Sequence, residues 1–128
     1  MQKQFDVAGL GNALIDISVQ VSDSELENLS LKKGVFHQIS EKETNSLIKK
    51  FEKSATITPA GSCPNTVRGI AKLGGRCSMI GKVGKDKYGS MYLDELKLHS
   101  IHSGLVVSET HNTGKLVCFI TPDAQRTF

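Results

Sequence analysis

Apolar and polar residues alternate strictly near the start of the chain. The apolar positions are Ile15, Ile17, Val19 and Val21, and the polar positions between them are Asp16, Ser18 and Gln20. A period of two predicts a half-buried strand, with Asp16 on the face turned away from the apolar row. The run Phe5–Leu10 predicts a buried strand before it, followed by a turn at Gly9–Asn12.

Helical spacing and cap residues predict four helices further along the chain. They are Ser22–Leu29, a helix from the capping box of Ser40 and Glu43 to about Lys53, Asn65–Leu73 ended by Gly74 and Gly75, and Lys87–Leu98 capped by Asp86. In the third helix Val67, Ile70, Ala71 and Leu73 are expected to face inward, and in the fourth Met91 joins Tyr88, Tyr92 and Leu96 on an apolar face.

Short apolar runs between these helices predict further strands. They are Val35–Ile39, Cys77–Ile80, Leu105–Val107 and Leu116–Thr121, and the glycines of Gly81–Lys85 predict a strand-to-helix turn. Strands that alternate with helices indicate an α/β fold with a mainly parallel sheet and helices on its faces.

Composition narrows the classes of function. The net charge is only +3 and basic residues are mixed with acidic ones, so no nucleic-acid partner is expected. The opening residues lack a signal-peptide core and no segment approaches about 20 apolar residues, so we expect a cytoplasmic protein that does not contact membranes. The 3 cysteines and 4 histidines have no metal-ligand spacing, so reduced thiols and no metal site are expected.

The segment Thr58–Gly84 carries the strongest candidate chemistry. Gly61 and Ser62 leave little side-chain bulk, and Asn65 follows Pro64 at a predicted helix start, where its amide would lie beside free backbone N–H groups. Together with Asp16 this suggests a polar site for adjacent hydroxyls, because an ionised carboxylate can accept from both. The alternatives are that Asp16 is solvated on an open strand face and that Asn65 only caps the helix.

These residues resemble the PfkB, or ribokinase-like, family of carbohydrate and nucleoside kinases, and adenosine kinases most closely. Ala60, Gly61, Asn65, Gly74 and Gly84 fall on its N-terminal motif, whereas Cys63 and Val67 depart from the usual residues. Asn12, Leu14 and Asp16 match the Asn-x-Leu-x-Asp of adenosine kinases, and Thr113–Phe128 is similar to the lid-side strands of bacterial members.

The resemblance implies a three-layer α/β/α fold, here truncated, with a mainly parallel sheet and a small β lid whose strands lie at about 12–39 and 105–121. Residues 1–128 would be the acceptor-binding part, without the ATP-binding half and without catalytic residues, since no Gly-Ala-Gly-Asp turn occurs. The intact enzyme would use ATP and Mg²⁺, and this part alone would bind no cofactor. A truncated sheet would expose an unpaired strand, so self-association is also expected.

The resemblance also gives the candidate site residues their roles. Asp16 and Asn65 would hold a sugar or nucleoside, Gly61, Ser62 and Asn12 would contribute further contacts, and Leu14 would lie near a base. Phe119 is a candidate for stacking on the base, with ordinary core packing as the alternative, and Arg126 a candidate for reaching phosphate, with an exposed loop arginine as the alternative. Adenosine is favoured over ribose, other nucleosides and ketohexoses; a non-catalytic binding module and an unrelated α/β protein remain the competing hypotheses.

Overall fold

The computed structural model describes residues 3–128 and contains strands and helices in mixed order. The elements are β1 (Val7–Leu10), β2 (Leu14–Gln20), α1 (Asp23–Asn28), α2 (Glu41–Phe51), β3 (Thr56–Ala60), α3 (Ser62–Lys72), β4 (Cys77–Gly84), α4 (Lys87–Leu98), β5 (His102–Ser108), β6 (Gly114–Ile120) and β7 (Arg126–Thr127). The strands form two sheets, with orders β1-β4-β5 and β3-β2-β6-β7. The predicted α/β class, a parallel sheet plus a small separate β-sheet, is confirmed.

The three-stranded sheet is parallel throughout. β4 is its central strand, pairing with β1 from Val7↔Cys77 and with β5 from Ser78↔His102 to Gly84↔Ser108. α3 packs on β1 and β4, and α4 packs on β4 and β5. This is the arrangement of βαβ crossovers, in which each helix covers the two parallel strands that it connects.

The four-stranded sheet carries a core on one face. Ile15, Ile17 and Val19 are fully or almost fully buried, and Asp16 between them is half-buried on the other face. On the core side, the ring of Phe51 from α2 lies edge-on to that of Phe119 in β6, with centroids 5.4 Å apart. The alternating pattern of β2 therefore positions Asp16 by burying its neighbours.

The chain divides into two compact units. The first unit comprises residues up to Ile15 together with Pro59–Gly114, and the second comprises Asp16–Thr58 together with Lys115–Phe128. Each unit is described by itself below.

Several strand predictions were wrong in extent. β4 continues through the predicted turn to Gly84, because Gly81–Gly84 pairs with β5. The Gly84 backbone lies so close to the main chain of His111 that a Cβ at Gly84 would be 2.6 Å from His111 O. Within the described chain, Val35–Ile39 forms no strand, while β3 and β7 were not predicted.

The strands expected for a lid do not all join the four-stranded sheet. Only β2 falls within 12–39, and β5 pairs in parallel with β4 rather than with the four-stranded sheet. Pairing partners far apart in the chain decide which sheet a strand joins, and local pattern does not contain that information.

Two predicted core residues face solvent. Leu73 is 90% exposed because α3 ends at Lys72 and Leu73 is its C-cap, and Met91 is 39% exposed because the buried face of α4 is formed by Tyr88, Gly89, Tyr92 and Leu96. None of the helices in the described residues is both long enough and apolar enough to span a membrane.

Candidate functional site

Gly61 makes the turn between β3 and α3 in the first unit. Its φ is 121°, a conformation that residues with a side chain rarely adopt, and a Cβ there would collide with the carbonyl oxygen of Asn12. Gly61 is therefore required by the backbone itself. The small bulk of Gly61 thus makes room for the main chain of Asn12.

The predicted start of α3 was wrong by three residues. α3 begins at Ser62, with Pro64 in its first turn, and the N–H of Asn65 donates to Gly61 O at 2.9 Å. Asn65 is therefore not a cap, and its amide hydrogen is not free. Its side chain is exposed on the first turn of the helix.

Arg68 holds the side chain of Asn65 and was not identified from sequence. Its Nη2 donates to Asn65 Oδ1 at 3.2 Å and to Pro59 O at 3.0 Å. Because a guanidinium can only donate, the amide oxygen of Asn65 must be the atom that faces Arg68. The spacing i, i+3 on a predicted helix was the available signal for this pair.

Arg68 belongs to a wider polar network on α3 and α4. Its Nη1 lies 3.3 Å from Glu95 Oε1, and the same oxygen lies 3.2 Å from His99 Nε2. Tyr92 from α4 donates its hydroxyl to Ala60 O at 2.9 Å, and burial raises the pKa of that hydroxyl above its ordinary value. The end of β3 is thus held by two side chains, Arg68 at Pro59 and Tyr92 at Ala60.

The other candidates of the first unit lie near this turn in sequence or in space. The carbonyl of Asn12 adjoins Gly61, the side chains of Asn12 and Ser62 are exposed, and Leu14 is half-buried at the start of β2. Ser62 is the first residue of α3, and α3 begins without a side-chain cap, unlike α1, α2 and α4.

Asp16 lies in the second unit, on the face of β2 opposite the core. Its Oδ1 accepts a hydrogen bond from Ser18 Oγ at 3.1 Å. Burial raises the pKa of the Cys118 thiol, the charge of Asp16 raises it further, and the charge of Arg126 lowers it. Asp16 and Arg126 are therefore both close enough to Cys118 for their charges to act on it.

Phe119 and Arg126 differ from their predicted settings. Phe119 is 2% exposed and packs on Phe51, so the core-packing alternative describes it, and a base could not reach its ring without displacing that contact. Arg126 is exposed, as expected, but it lies in β7 opposite Ile120 rather than in a turn.

Asp86 ties the start of α4 to the segment before β6. Its carboxylate accepts from the amides of Gly89 and Thr113 and from the Thr113 hydroxyl, each at 2.8 Å. Burial acts to raise the pKa of Asp86, but these hydrogen bonds outweigh it, so the pKa lies below its ordinary value. Asp86 has a structural role in the first unit.

Within residues 3–128, no group of three or more His, Cys, Asp or Glu side chains could hold a metal ion. Cys63, Cys77 and Cys118 are free thiols.

Comparisons with known proteins identify the family. Residues 30–128 match the pfkB family of carbohydrate kinases. The chain is 29% identical to the adenosine kinase of Saccharomyces cerevisiae over 119 residues, covering 88% of this chain and 35% of that protein. It is 37% identical to the probable fructokinase-7 of Arabidopsis thaliana over 73 residues, covering 55% of this chain and 21% of that protein.

Solved structures agree with this assignment. The adenosine kinase from Sinorhizobium meliloti superposes with a TM-score of 0.80 at 28% identity, covering 97% of this chain and 38% of that one. The adenosine kinase of Anopheles gambiae superposes with a TM-score of 0.79 at 25% identity, covering 94% of this chain and 37% of that one. The chain spans about a third or less of the length of the curated relatives it matches. The predicted ribokinase-like fold is confirmed, and the chain belongs to the pfkB family of carbohydrate kinases.

Proposed function

We propose that this chain supplies the acceptor-binding part of a kinase that transfers the γ-phosphoryl group of ATP to a primary hydroxyl of a nucleoside or sugar. Membership of the pfkB family supports the class of reaction. Catalysis of such a transfer consists mostly of positioning and of stabilising charge. Positioning of the acceptor is the contribution we assign to this chain.

The setting of Asp16 is the observation that carries the proposal. It is a half-buried carboxylate on the open face of a strand whose other face is core, and Ser18 holds its Oδ1. Within the described residues Oδ2 has no hydrogen-bond partner. A carboxylate fixed by one oxygen and open at the other is suited to accept from the hydroxyls of a sugar.

Asn65 contributes a donor rather than an acceptor. Because Asn65 Oδ1 already accepts from Arg68, its Nδ2 carries the hydrogen atoms available to a ligand. The Asn65 amide is therefore suited to donate to an oxygen atom of a sugar. Arg68 acts as a positioning residue, since it fixes which end of the amide is presented.

Adenosine is the acceptor we favour. The chain aligns with an adenosine kinase over 88% of its length but with the fructokinase over 55%. The Asn12, Leu14 and Asp16 spacing, which resembles adenosine kinases, supports the same choice. In this assignment Asn12, Leu14, Gly61 and Ser62 lie around the nucleoside.

Among the described residues, we assign a phosphate contact to one and a metal contact to none. In the intact enzyme ATP would supply the phosphoryl group and Mg²⁺ would neutralise its charge, and we assign no described residue to the metal. Arg126 is the candidate for a phosphate contact, because its exposed guanidinium can pair with phosphate oxygens. We assign the catalytic base and the anion hole to none of the described residues.

Calorimetric titration of the purified chain with adenosine and with fructose tests the proposal. We expect adenosine to bind, and Asp16→Ala to weaken its binding by about 30- to 150-fold, which corresponds to roughly 2–3 kcal/mol for lost charge-assisted bonds. Asp94→Ala is the matched control, since the Asp94 carboxylate is exposed and forms an ion pair with Lys97.

Two results would contradict the assignment. An Asp16→Ala chain that binds adenosine as well as the parent would remove Asp16 from the site, and a chain that binds neither compound would remove acceptor binding altogether. A double-mutant cycle of Asp16→Ala with Asn65→Ala should show a coupling above about 0.5 kcal/mol if both side chains contact one ligand.

A further inference from the structure

Glu95 on α4 joins two other side chains of the polar network in the first unit. Its Oε1 lies 3.3 Å from Arg68 Nη1 and 3.2 Å from His99 Nε2. The three side chains are only 20–23% exposed, so water surrounds them incompletely. Hydrogen bonds to a charged group in such a setting are stronger than those between fully solvated side chains.

The chemistry of each group fixes the direction of every hydrogen bond in this network. An ionised carboxylate only accepts, so Arg68 and His99 both donate to Glu95, and the His99 donor is its Nε2–H. A guanidinium only donates, so Arg68 Nη2 donates to Asn65 Oδ1 at 3.2 Å and to Pro59 O at 3.0 Å. The series runs from His99 through Glu95 and Arg68 to Asn65, and it leaves the Nδ2 hydrogens of Asn65 at its far end.

Glu95 determines where the guanidinium of Arg68 lies. Arg68 uses separate nitrogens, since Nη1 contacts Glu95 whereas Nη2 donates to Asn65 and Pro59. A planar guanidinium that is held through both nitrogens has a fixed plane and direction, whereas one held through Nη2 alone can turn about that nitrogen. The side chain of Asn65 is exposed, so packing does not orient its amide. The orientation of that amide therefore depends on Arg68, and the position of Arg68 depends on Glu95.

Two helices supply these side chains at helical spacing. Asn65 and Arg68 lie three residues apart on α3, and Glu95 lies four residues before His99, the C-cap of α4. Residues at these spacings share one face of a helix. The series is thus built on regular elements, which hold side chains more precisely than loops do.

We propose that Glu95 and His99 are positioning residues for acceptor binding, and that they act through Arg68 on the amide of Asn65. Glu95 holds the guanidinium, and His99 holds the carboxylate of Glu95 in the rotamer that reaches it. The effect on binding rests on the proposed function, whereas the order that Glu95 imposes on the Asn65 amide exists without any ligand. The two parts are measured separately.

The order of the Asn65 amide tests the first part in the complete chain without ligand. NMR relaxation gives the order parameter of Asn65 Nδ2 in the parent chain, in Glu95→Ala and in Glu95→Gln. We expect Glu95→Ala to bring it below about 0.6, the range of flexible groups. Glu95→Gln should stay close to the parent, because one amide oxygen can accept from both Arg68 and His99, as Glu95 Oε1 does. Asp94→Ala, which removes an exposed carboxylate of α4, is the control and should leave it unchanged.

Calorimetric titration with adenosine tests the second part. Glu95→Ala should weaken binding by about 2- to 10-fold, the lower part of the range for residues in one hydrogen-bond network, and His99→Ala should weaken it by less. In an Asn65→Ala background, Glu95→Ala should have no further effect, because the amide through which Glu95 acts is absent. A purely structural role would instead weaken binding equally in both backgrounds.

Two outcomes would overturn the inference. One is an Asn65 amide that is as ordered in Glu95→Ala as in the parent chain. The other is an equal loss of adenosine binding from Glu95→Ala with and without the Asn65 side chain. Failure of the proposed function gives a different pattern, in which the parent chain binds no adenosine while the order of the Asn65 amide still depends on Glu95. That pattern would overturn the acceptor-binding assignment and leave Glu95 as the residue that positions Asn65.

Discussion

Replacing Asp86 by alanine tests the account of the first unit most directly. The substitution removes the N-cap of α4 and the acceptor for both the amide and the hydroxyl of Thr113, a residue that is 2% exposed. The Thr113 hydroxyl also accepts from the Gly84 amide at 2.9 Å, so the loss extends to the end of β4. Water can replace little of this, because Thr113 is buried.

The expected cost has two parts. Loss of an Asp N-cap costs about 1 kcal/mol. Leaving a buried donor without a partner costs about 1–3 kcal/mol. The sum predicts that Asp86→Ala lowers the free energy of unfolding by about 2–4 kcal/mol.

Urea unfolding followed by circular dichroism measures this quantity. The midpoint should fall by about 1–2 M, with an unchanged slope. Asp94→Ala on the exposed face of the same helix should change the free energy of unfolding by less than about 0.5 kcal/mol. An Asp86→Ala chain as stable as the Asp94→Ala chain would refute the role of Asp86, and a cycle with Thr113→Val should show coupling between the two side chains.

Three further changes separate backbone, ligand and charge effects. Gly61→Ala should destabilise the chain by about 1–3 kcal/mol, because φ at Gly61 is 121° and the Asn12 carbonyl leaves no room for a Cβ. Gly69→Ala, in the middle of α3 where a Cβ meets no other atom, should instead stabilise the chain by about 0.5–1 kcal/mol. Thermal unfolding of the two variants measures both effects, and equal effects would contradict the steric argument. Arg68→Ala should weaken adenosine binding in calorimetry because the Asn65 amide is no longer oriented, and an unchanged affinity would remove Arg68 as a positioning residue. Hydrogen bonds from Lys33 and Thr121 lower the pKa of Asp123 to about 2. The contribution of Asp123 to stability is therefore present above about pH 4 and is lost as the pH falls towards 2. An NMR titration of Asp123 with a midpoint near pH 4 would contradict this.

The elements that local pattern predicts well are those whose signal lies within a few residues. The alternation in β2 predicted a buried row, and Ile15, Ile17 and Val19 are all buried. The spacing of Ser40 and Glu43 predicted a capping box, and the structure has both of its hydrogen bonds. Ser22 forms a second capping box with Glu25.

The elements that were missed depend on distant partners. Val35 and His37 do bond to Phe128, but that partner is about ninety residues away and the pairing is too short to count as a strand. β4 runs through two glycines because β5 pairs with it from Ser78 to Gly84. No local pattern contains such a partner, so the sequence favoured a turn at these glycines.

The candidate site residues also divide into those that local pattern predicts and those that depend on distant partners. Sequence placed Asp16 correctly on the face opposite the core, since alternation alone determines that face. The sequence placed Asn65 at the start of α3, three residues too late, because a proline fits more than one position of a first helical turn. Arg68 was missed because the i, i+3 spacing to Asn65 is common on helices, and its hydrogen bond to Pro59 O depends on the fold.

The residues that resemble the family motif divide into those that the fold requires and those that it does not. Gly61 and Gly84 have steric reasons that hold without any ligand, since a Cβ at either position would meet backbone atoms. The fold gives no steric reason for Asp16 or Asn65. Asp16 is half-buried and Asn65 is exposed, and the Oδ1 atom of each side chain accepts a hydrogen bond from a neighbouring side chain. Substituting the glycines should therefore reduce stability and binding together. Substituting Asp16 or Asn65 should reduce acceptor binding while Tm stays close to that of the parent, and a large fall in Tm in Asp16→Ala would make Asp16 a structural residue instead.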